Sequence, residues 1–147
     1  IFLGRCKFLS EIKAVKEASG SLDISSEVAA RTDLTVISGD DSMTLPICAV
    51  GGKGVISVVA NIVPADVKAM TDLILEGDFV SARKWHKKLF SLSKGMLSLS
   101  TNPIPIKAAM AMLGMCSDEM RLPMVPMSEK EKEPLRKMLK DYGLLES

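Results

Sequence analysis

The first half of this chain repeats a strand-length apolar run three times, with a helix-length segment between one run and the next. The runs are residues 14–17, 34–38 and 55–59, and residues 22–30 and 42–50 separate them. Two strands joined through a helix lie parallel in one sheet, because a crossover of that length returns the chain in the same direction. The order βαβαβ therefore predicts an α/β fold with a parallel sheet.

The second half of the sequence is predicted to be helical. A proline in the first turn begins a helix over residues 64–76, and its apolar residues recur at helical spacing. Further helices are predicted over residues 79–96 and 106–113 and from Ser128 to Gly143. Ser128 and Glu131 have the spacing of a capping box, in which each side chain accepts from the other residue's backbone amide.

Three parallel strands with two open edges make a poor sheet on their own. The chain also begins with Ile1 rather than methionine. We therefore expect it to be part of a longer polypeptide and to form the last portion of a larger barrel. Residues 1–77 are predicted as the partial barrel and residues 78–147 as a separate helical region.

Composition excludes several classes of partner. Hydrophobic residues make up 47% of the chain and charged residues 25%, which is typical of a folded globular domain. The net charge of +1 gives no electrostatic reason to expect nucleic-acid binding. No apolar run is long enough to span a membrane, and charged residues interrupt the first segment, so we expect neither a membrane span nor a signal peptide.

Cysteine usage indicates the cellular compartment of the protein. The three cysteines, Cys6, Cys48 and Cys116, are scattered and lack the spacing of a metal site. An odd number of unpaired thiols is typical of a reducing environment, so we expect a cytoplasmic protein without disulfides, bound metal or cofactor.

Lys16 is the candidate catalytic residue, because it lies within the first predicted strand. Moving an unpaired ammonium group out of water costs on the order of several kcal/mol, so lysines are seldom placed there for packing. A desolvated lysine amine can act as the nucleophile that forms a Schiff base with a carbonyl compound. From this segment alone, a lysine that extends its ammonium from the strand end into water remains the alternative.

Four segments, in this order and at this spacing, carry a resemblance. They are residues 15–20, 38–41, 51–58 and 102–109. They resemble the carboxy-terminal half of the dihydrodipicolinate synthase family of pyruvate-dependent class I aldolases, which also contains N-acetylneuraminate lyase. The Asn-Pro-Ile-Pro-Ile-Lys segment favours the synthase branch. The resemblance implies a (β/α)₈ TIM barrel whose sixth to eighth strands are present here, followed by a small all-helical region.

The resemblance also implies roles for three residues. Lys16 matches the lysine that forms an imine with pyruvate. Gly39 lies where only a small residue lets the substrate approach, and Ile56 matches a position that packs on bound pyruvate. The imine draws electrons from the pyruvate methyl group, which loses a proton, and the resulting enamine attacks aspartate β-semialdehyde. Self-association is implied as well, because family members are commonly oligomeric.

Two features of the family have no match in this sequence. One is the glycine-threonine-threonine-glycine-glutamate loop that holds the pyruvate carboxylate. The other is the set of proton-relaying tyrosines, since the single tyrosine, Tyr142, lies in the last predicted helix. Residues 4–6 are similar to the family's turn whose arginine meets the second substrate. However, the spacing from Arg5 to Lys16 is too short by roughly one average helix.

Smaller signals favour structural roles. Residues 51–54, Gly-Gly-Lys-Gly, precede a predicted strand rather than a helix, so we expect a tight turn and not a phosphate loop. Asp40 and Asp41 lack a third nearby carboxylate and are expected to cap a helix rather than bind a cation. His86, the single histidine, is expected to have a packing or surface role.

Several functions remain open at this point. The first is a pyruvate aldolase of lysine biosynthesis, in which case the chain by itself is expected to show little or no turnover. The second is a non-catalytic half-barrel that pairs with another copy or with a missing partner. The third is an N-acetylneuraminate lyase-like enzyme, and the fourth is a helical interaction module over residues 64–145.

Overall fold

Two parallel strands and six α-helices make up residues 11–146, the part of the chain that the computed structural model describes. The first half contains β1 (Ala14–Glu17), α1 (Leu22–Arg31), β2 (Thr35–Ser38), a 3₁₀ turn (Asp41–Met43) and α2 (Thr44–Ala49). A second 3₁₀ turn (Val59–Asn61) leads into the helices α3 (Pro64–Leu75), α4 (Phe79–Leu99), α5 (Ile104–Met112) and α6 (Glu129–Tyr142).

The predicted parallel pairing is confirmed for the first two strands. β1 lies parallel to β2, with Lys16 opposite Ile37 and Glu17 opposite Ser38. The crossover helix α1 begins after Ser21, whose hydroxyl accepts a hydrogen bond from a backbone amide in the first turn. Such a cap satisfies one of the amides that have no partner within the helix.

The prediction of a third strand over residues 55–59 is wrong beyond its first residue, Val55. This residue forms a single parallel bridge with Ser38. Beyond it, the Asp41 carboxylate accepts hydrogen bonds from the backbone amides of Val58 at 2.9 Å and Val59 at 3.3 Å. These contacts hold the segment in a turn, so the strand ends before the 3₁₀ turn that precedes α3.

The later helices begin and end close to the predicted residues because their caps are encoded locally. Ser128 and Glu131 form the predicted capping box, and Gly143 ends α6 in the left-handed conformation with φ of 88°. α5 begins at Ile104 rather than at residue 106. Proline is tolerated in the first helical turn, so Pro105 lies inside the helix.

Two groups of buried residues form the core. The smaller group lies between α1, β2 and α2 and consists of Val28, Val36 and Ile47. The larger group draws on residues before and after position 77, for example Val67 in α3 and Leu92 in α4. The division of the chain at residue 77 stays a prediction. Within residues 11–146, no helix has the length and apolar character needed to cross a membrane.

A polar network joins three helices of the second half. The Asp66 carboxylate in α3 accepts a hydrogen bond from the Tyr142 hydroxyl of α6 at 2.6 Å and forms an ion pair with Lys88 of α4 at 2.7 Å. The Lys88 ammonium also lies over the rings of Trp85 and Tyr142, 5.0 and 4.9 Å from their centroids. The pKa of Tyr142 is raised, mainly because the side chain is partly buried and in addition because its hydroxyl donates to Asp66.

Replacing Tyr142 by phenylalanine is expected to lower the free energy of unfolding by about 1 kcal/mol at neutral pH, since a hydrogen bond to a partly exposed carboxylate is lost. The stabilisation is complete below 10.0, the ordinary pKa of tyrosine, and declines as the pH rises toward the raised pKa of the folded state. Urea unfolding of both proteins at neutral and alkaline pH measures the difference. A difference that grows above pH 10.0 would contradict this account.

Candidate functional site

Lys16 lies on the face of the sheet that the helices of the first half do not cover. Residues alternate between the two faces along a strand, so Val15 points toward the smaller core and Lys16 points away from it. The Lys16 side chain is exposed in the described part of the chain. Lys16 is the penultimate residue of β1 and so lies near the carboxyl end of the parallel strands.

Gly39 follows β2 directly and lies beside the Lys16 side chain. The Gly39 amide donates a 2.7 Å hydrogen bond to the carbonyl of Glu17, which continues the pairing of the two strands. A Cβ atom added at Gly39 would lie 2.8 Å from Cε of Lys16 and 2.7 Å from Cβ of Ala18. The absence of a side chain at Gly39 is therefore what allows the aliphatic part of Lys16 to pass there.

Ile56 lies on the same face as Lys16. Its backbone amide donates to the carbonyl of Ser38 at 2.8 Å, one residue after the bridge between Val55 and Ser38. Alternation from the partly buried Val55 directs the Ile56 side chain away from the core, and it is 52% exposed. The structure thus places Lys16, Gly39 and Ile56 at neighbouring strand ends, on one face.

Glu17, a residue that none of the motifs singles out, is buried on the opposite face. It is 6% exposed, although glutamate is rarely buried without a partner. Its Oε1 accepts from the Ser19 amide at 2.7 Å and its Oε2 from the Ser25 hydroxyl at 3.1 Å. Burial raises the pKa of Glu17, but the hydrogen bonds outweigh burial and hold the pKa below 4.5. A charged residue at an inward strand position was the available signal.

Ser38 fixes the turn that follows β2. It is fully buried, its hydroxyl donates to the Asp40 carbonyl at 2.7 Å, and the same hydroxyl accepts from the Asp40 amide at 3.2 Å. The predicted capping role of Asp40 is confirmed, because its carboxylate accepts from the Ser42 amide at 3.1 Å. Within residues 11–146 no group of three or more histidine, cysteine, aspartate or glutamate residues is placed to hold a metal ion.

The remaining sequence signals fall in structural positions. Gly51 has φ of 112°, and the Gly52 amide donates to the Ile47 carbonyl at 2.9 Å, so the predicted turn is confirmed. His86 is half-buried with its ring 5.8 Å from that of Phe90, and burial lowers its pKa. The glycine-arginine-cysteine turn at residues 4–6 lies outside the described residues.

The two cysteines that the structure describes carry free thiols, one buried and one exposed. They are Cys48, in α2, and Cys116, in the segment between α5 and α6. Burial raises the pKa of the Cys48 thiol, which disfavours the reactive thiolate form. Cys48 is therefore not expected to act as a nucleophile.

This arrangement suits a small carbonyl compound. A lysine amine in its neutral form can attack a carbonyl carbon, the missing side chain at Gly39 leaves space beside Lys16, and Ile56 presents an exposed apolar surface. An arrangement of this kind is chemically suited to forming a Schiff base with a short carbonyl compound.

Comparison with known proteins gives consistent matches over nearly the whole chain. The sequence matches the Dihydrodipicolinate synthetase family over residues 3–142. The 4-hydroxy-tetrahydrodipicolinate synthase of Methanocaldococcus jannaschii is 53% identical over 136 residues, which are 92% of this chain and 47% of the relative.

Solved structures match as well. Dihydrodipicolinate synthase from Aquifex aeolicus is 45% identical with a TM-score of 0.92, and the match covers 97% of this chain and 49% of that one. The chloride-inhibited enzyme from Acinetobacter baumannii, solved with pyruvate, is 31% identical with a TM-score of 0.90, covering 97% and 50%. The chain spans about half the length of these relatives. Its match to the family and its identity to the curated relative establish that the chain belongs to the dihydrodipicolinate synthetase family.

Proposed function

We propose that this chain supplies the imine-forming lysine and the carboxy-terminal part of a 4-hydroxy-tetrahydrodipicolinate synthase, which condenses pyruvate with aspartate β-semialdehyde. The observation that carries the proposal is the position of Lys16 against Gly39, with Ile56 on the same face, in a member of this family. Its strand segments then correspond to the sixth, seventh and eighth strands of a TIM barrel. In such barrels the chemistry lies at the carboxyl ends of the strands.

The proposed reaction begins with the Lys16 amine. The amine attacks the keto carbon of pyruvate, water leaves, and a protonated imine forms. Loss of a proton from the methyl group gives an enamine, which forms the new carbon–carbon bond with the aldehyde carbon of aspartate β-semialdehyde. Gly39 leaves room for the ketoacid beside the amine, and Ile56 packs against its carbon chain.

The test is to trap the first intermediate. Borohydride reduction of the chain in the presence of pyruvate converts the imine to a stable amine, which peptide mapping by mass spectrometry locates. We expect the adduct to accumulate on Lys16 in excess of Lys53, an exposed lysine in the loop before Val55 that serves as the internal control. Replacing Lys16 by arginine should remove the excess. Equal adducts on the two lysines, or none on Lys16, would overturn the proposal.

The trapping experiment reports imine formation and not turnover, which matters for this chain. The sequence has no match to the family's carboxylate-binding loop or its relay tyrosines. Loss of acid–base groups and of electrostatic stabilisation each costs about 10²-fold or more in rate. We therefore propose that the chain by itself condenses the two substrates slowly or not at all, while Lys16 still forms the imine.

A non-catalytic, self-associating half-barrel is the second candidate function. The observation that favours it is the exposed face that carries Lys16 and the 52% exposed Ile56, together with the outer edge of β1, which pairs with no further strand in the described part of the chain. Analytical ultracentrifugation together with a turnover assay separates the two. Dimers or larger species without any imine on Lys16 support the second candidate, and an active monodisperse monomer excludes it.

A further inference from the structure

Glu17 is a buried carboxylate without an ion-pair partner. Among residues 11–146, no lysine, arginine or histidine lies within ion-pair distance of it. A buried charge is costly unless hydrogen bonds replace the lost water. Both Glu17 oxygens do have such donors, from the backbone of Ser19 and the hydroxyl of Ser25. These two hydrogen bonds, and not an ion pair, therefore compensate the buried charge of Glu17.

The carboxylate connects three pieces of the chain. Glu17 itself is the last residue of β1, Ser19 lies in the turn that follows, and Ser25 lies in the buried side of α1. The Ser25 hydroxyl is also 3.2 Å from the Ser21 carbonyl at the beginning of the helix. Because the donors come from the turn and from the helix, one side chain fixes the path of the chain directly after Lys16.

That path decides what surrounds the Lys16 side chain. Ala18 lies two residues after Lys16 and so on the same face of the sheet. Cβ of Ala18 and Cε of Lys16 both approach the point where a Gly39 side chain would begin, at 2.7 and 2.8 Å. The Glu17 carbonyl holds the Gly39 amide at 2.7 Å. A turn that moves would carry Ala18 away and leave the lysine stem free on that side.

We propose that Glu17 is a positioning residue for Lys16, because its carboxylate holds the turn that keeps Ala18 beside the lysine stem. The proposal rests on the proposed function, in which Lys16 forms an imine with a ketoacid. Glu17 does not touch the reacting atoms, since it lies on the other face of the sheet. The direction of its pKa, which the hydrogen bonds hold low, agrees with a carboxylate that is ionised while it accepts them.

The hydrogen bonds of Glu17 predict which substitutions should move the turn after β1. Glutamine at position 17 can still accept from the Ser19 amide and can donate to the Ser25 hydroxyl, which then donates to the nearby Ser21 carbonyl. Alanine removes both contacts, so the Ser19 amide and the Ser25 hydroxyl lose the side chain that joins them. Ser25→Ala removes a single donor. If hydrogen bonding positions the turn, Glu17→Gln restores what Glu17→Ala loses.

The experiment compares wild type with Glu17→Ala, Glu17→Gln and Ser25→Ala by borohydride trapping with pyruvate. We expect Glu17→Ala to lower the adduct at Lys16 roughly tenfold, Ser25→Ala to lower it about threefold, and Glu17→Gln to stay within about twofold of wild type. The adduct at Lys53 should not change. An unchanged Lys16 adduct in Glu17→Ala, or equal losses in Glu17→Ala and Glu17→Gln, would overturn the proposal. Should Glu17→Ala fail to fold, Ser25→Ala and Glu17→Gln decide.

A second readout separates this proposal from the proposed function. Competitive acetylation with acetic anhydride, followed by peptide mapping, measures the reactivity of each lysine without pyruvate. Positioning by Glu17 predicts that Glu17→Ala changes the reactivity of Lys16 relative to Lys53 at least about twofold and that Glu17→Gln does not. If wild type forms no pyruvate adduct on Lys16, the proposed function fails. If acetylation of Lys16 is insensitive to Glu17→Ala, the positioning proposal fails.

Discussion

Replacing Gly39 by alanine is expected to lower the pyruvate adduct at Lys16 by about a hundredfold. The new Cβ would lie 2.8 Å from Cε of Lys16 and 2.7 Å from Cβ of Ala18, closer than carbon atoms approach in folded proteins. The flexible lysine stem has to move away, and the backbone that carries the Ala18 methyl has to shift as well. A displacement of the amine by about 1 Å is enough to cost two orders of magnitude in a positioned reaction.

Gly54→Ala is the matched control for this substitution. Gly54 lies in the loop between α2 and Val55, and a Cβ added there meets no atom within 4 Å. We expect the Gly54→Ala protein to form the Lys16 adduct as wild type does. Ala18→Gly in the Gly39→Ala background returns space beside the lysine and should recover part of the adduct. Full adduct formation by Gly39→Ala alone would contradict the close approach of Lys16 and Gly39.

Replacing Leu92 by alanine is expected to lower the free energy of unfolding by about 2–5 kcal/mol. Leu92 is 1% exposed in the middle of α4, the helix that packs against both α3 and α6. Alanine at this position loses buried apolar area and leaves a cavity that the surrounding helices fill only in part. Because small domains are stable by about 5–15 kcal/mol, this is a large share of the total.

Leu97→Ala provides the control in the same helix. Leu97 is 42% exposed, so its truncation removes the same atoms but little buried area. We expect a loss of at most about 1 kcal/mol, and helix propensity affects both variants equally. Urea unfolding monitored by circular dichroism measures both. Similar losses for Leu92→Ala and Leu97→Ala would show that α4 does not bury Leu92 in the core of the protein in solution.

Local signals in the sequence predicted much of this fold. The capping box of Ser128 with Glu131 and the left-handed Gly143 act over a few residues, and the helix that they delimit appears at the predicted position. The parallel pairing of β1 with β2 also follows from the order of elements along the chain. Each of these features depends on residues that are near one another in the sequence.

The prediction of the third strand rests on its apolar residues alone. Their pattern carries no information about Asp41, the residue whose carboxylate ends the strand. Asp41 lies 17 residues before Val58, and its carboxylate accepts the amides that a longer strand would have paired. The helix-capping role predicted for both aspartates is found at Asp40 and not at Asp41. No local pattern indicates that an aspartate from the preceding strand–helix turn reaches the next segment, so the strand was extended too far.

At the candidate site, too, some residues are indicated by the sequence and others only by tertiary contacts. Lys16, Gly39 and Ile56 were chosen from motifs in the sequence, and the tertiary structure brings them to one face. The donors that allow Glu17 to be buried are visible only in the structure, where the turn and α1 compensate its carboxylate for the loss of water. A sequence shows that a carboxylate is present, but not how many donors surround it.

Periodicity, caps and short motifs act over a few neighbouring residues, and they are enough to indicate the helices and the parallel order of the first two strands and to mark Lys16 as the candidate nucleophile. Packing sets where the third segment stops pairing, how closely Lys16 approaches Gly39 and how Glu17 is buried. Each of these depends on distances between side chains and backbone atoms of separate elements, and such distances exist only after the chain has packed.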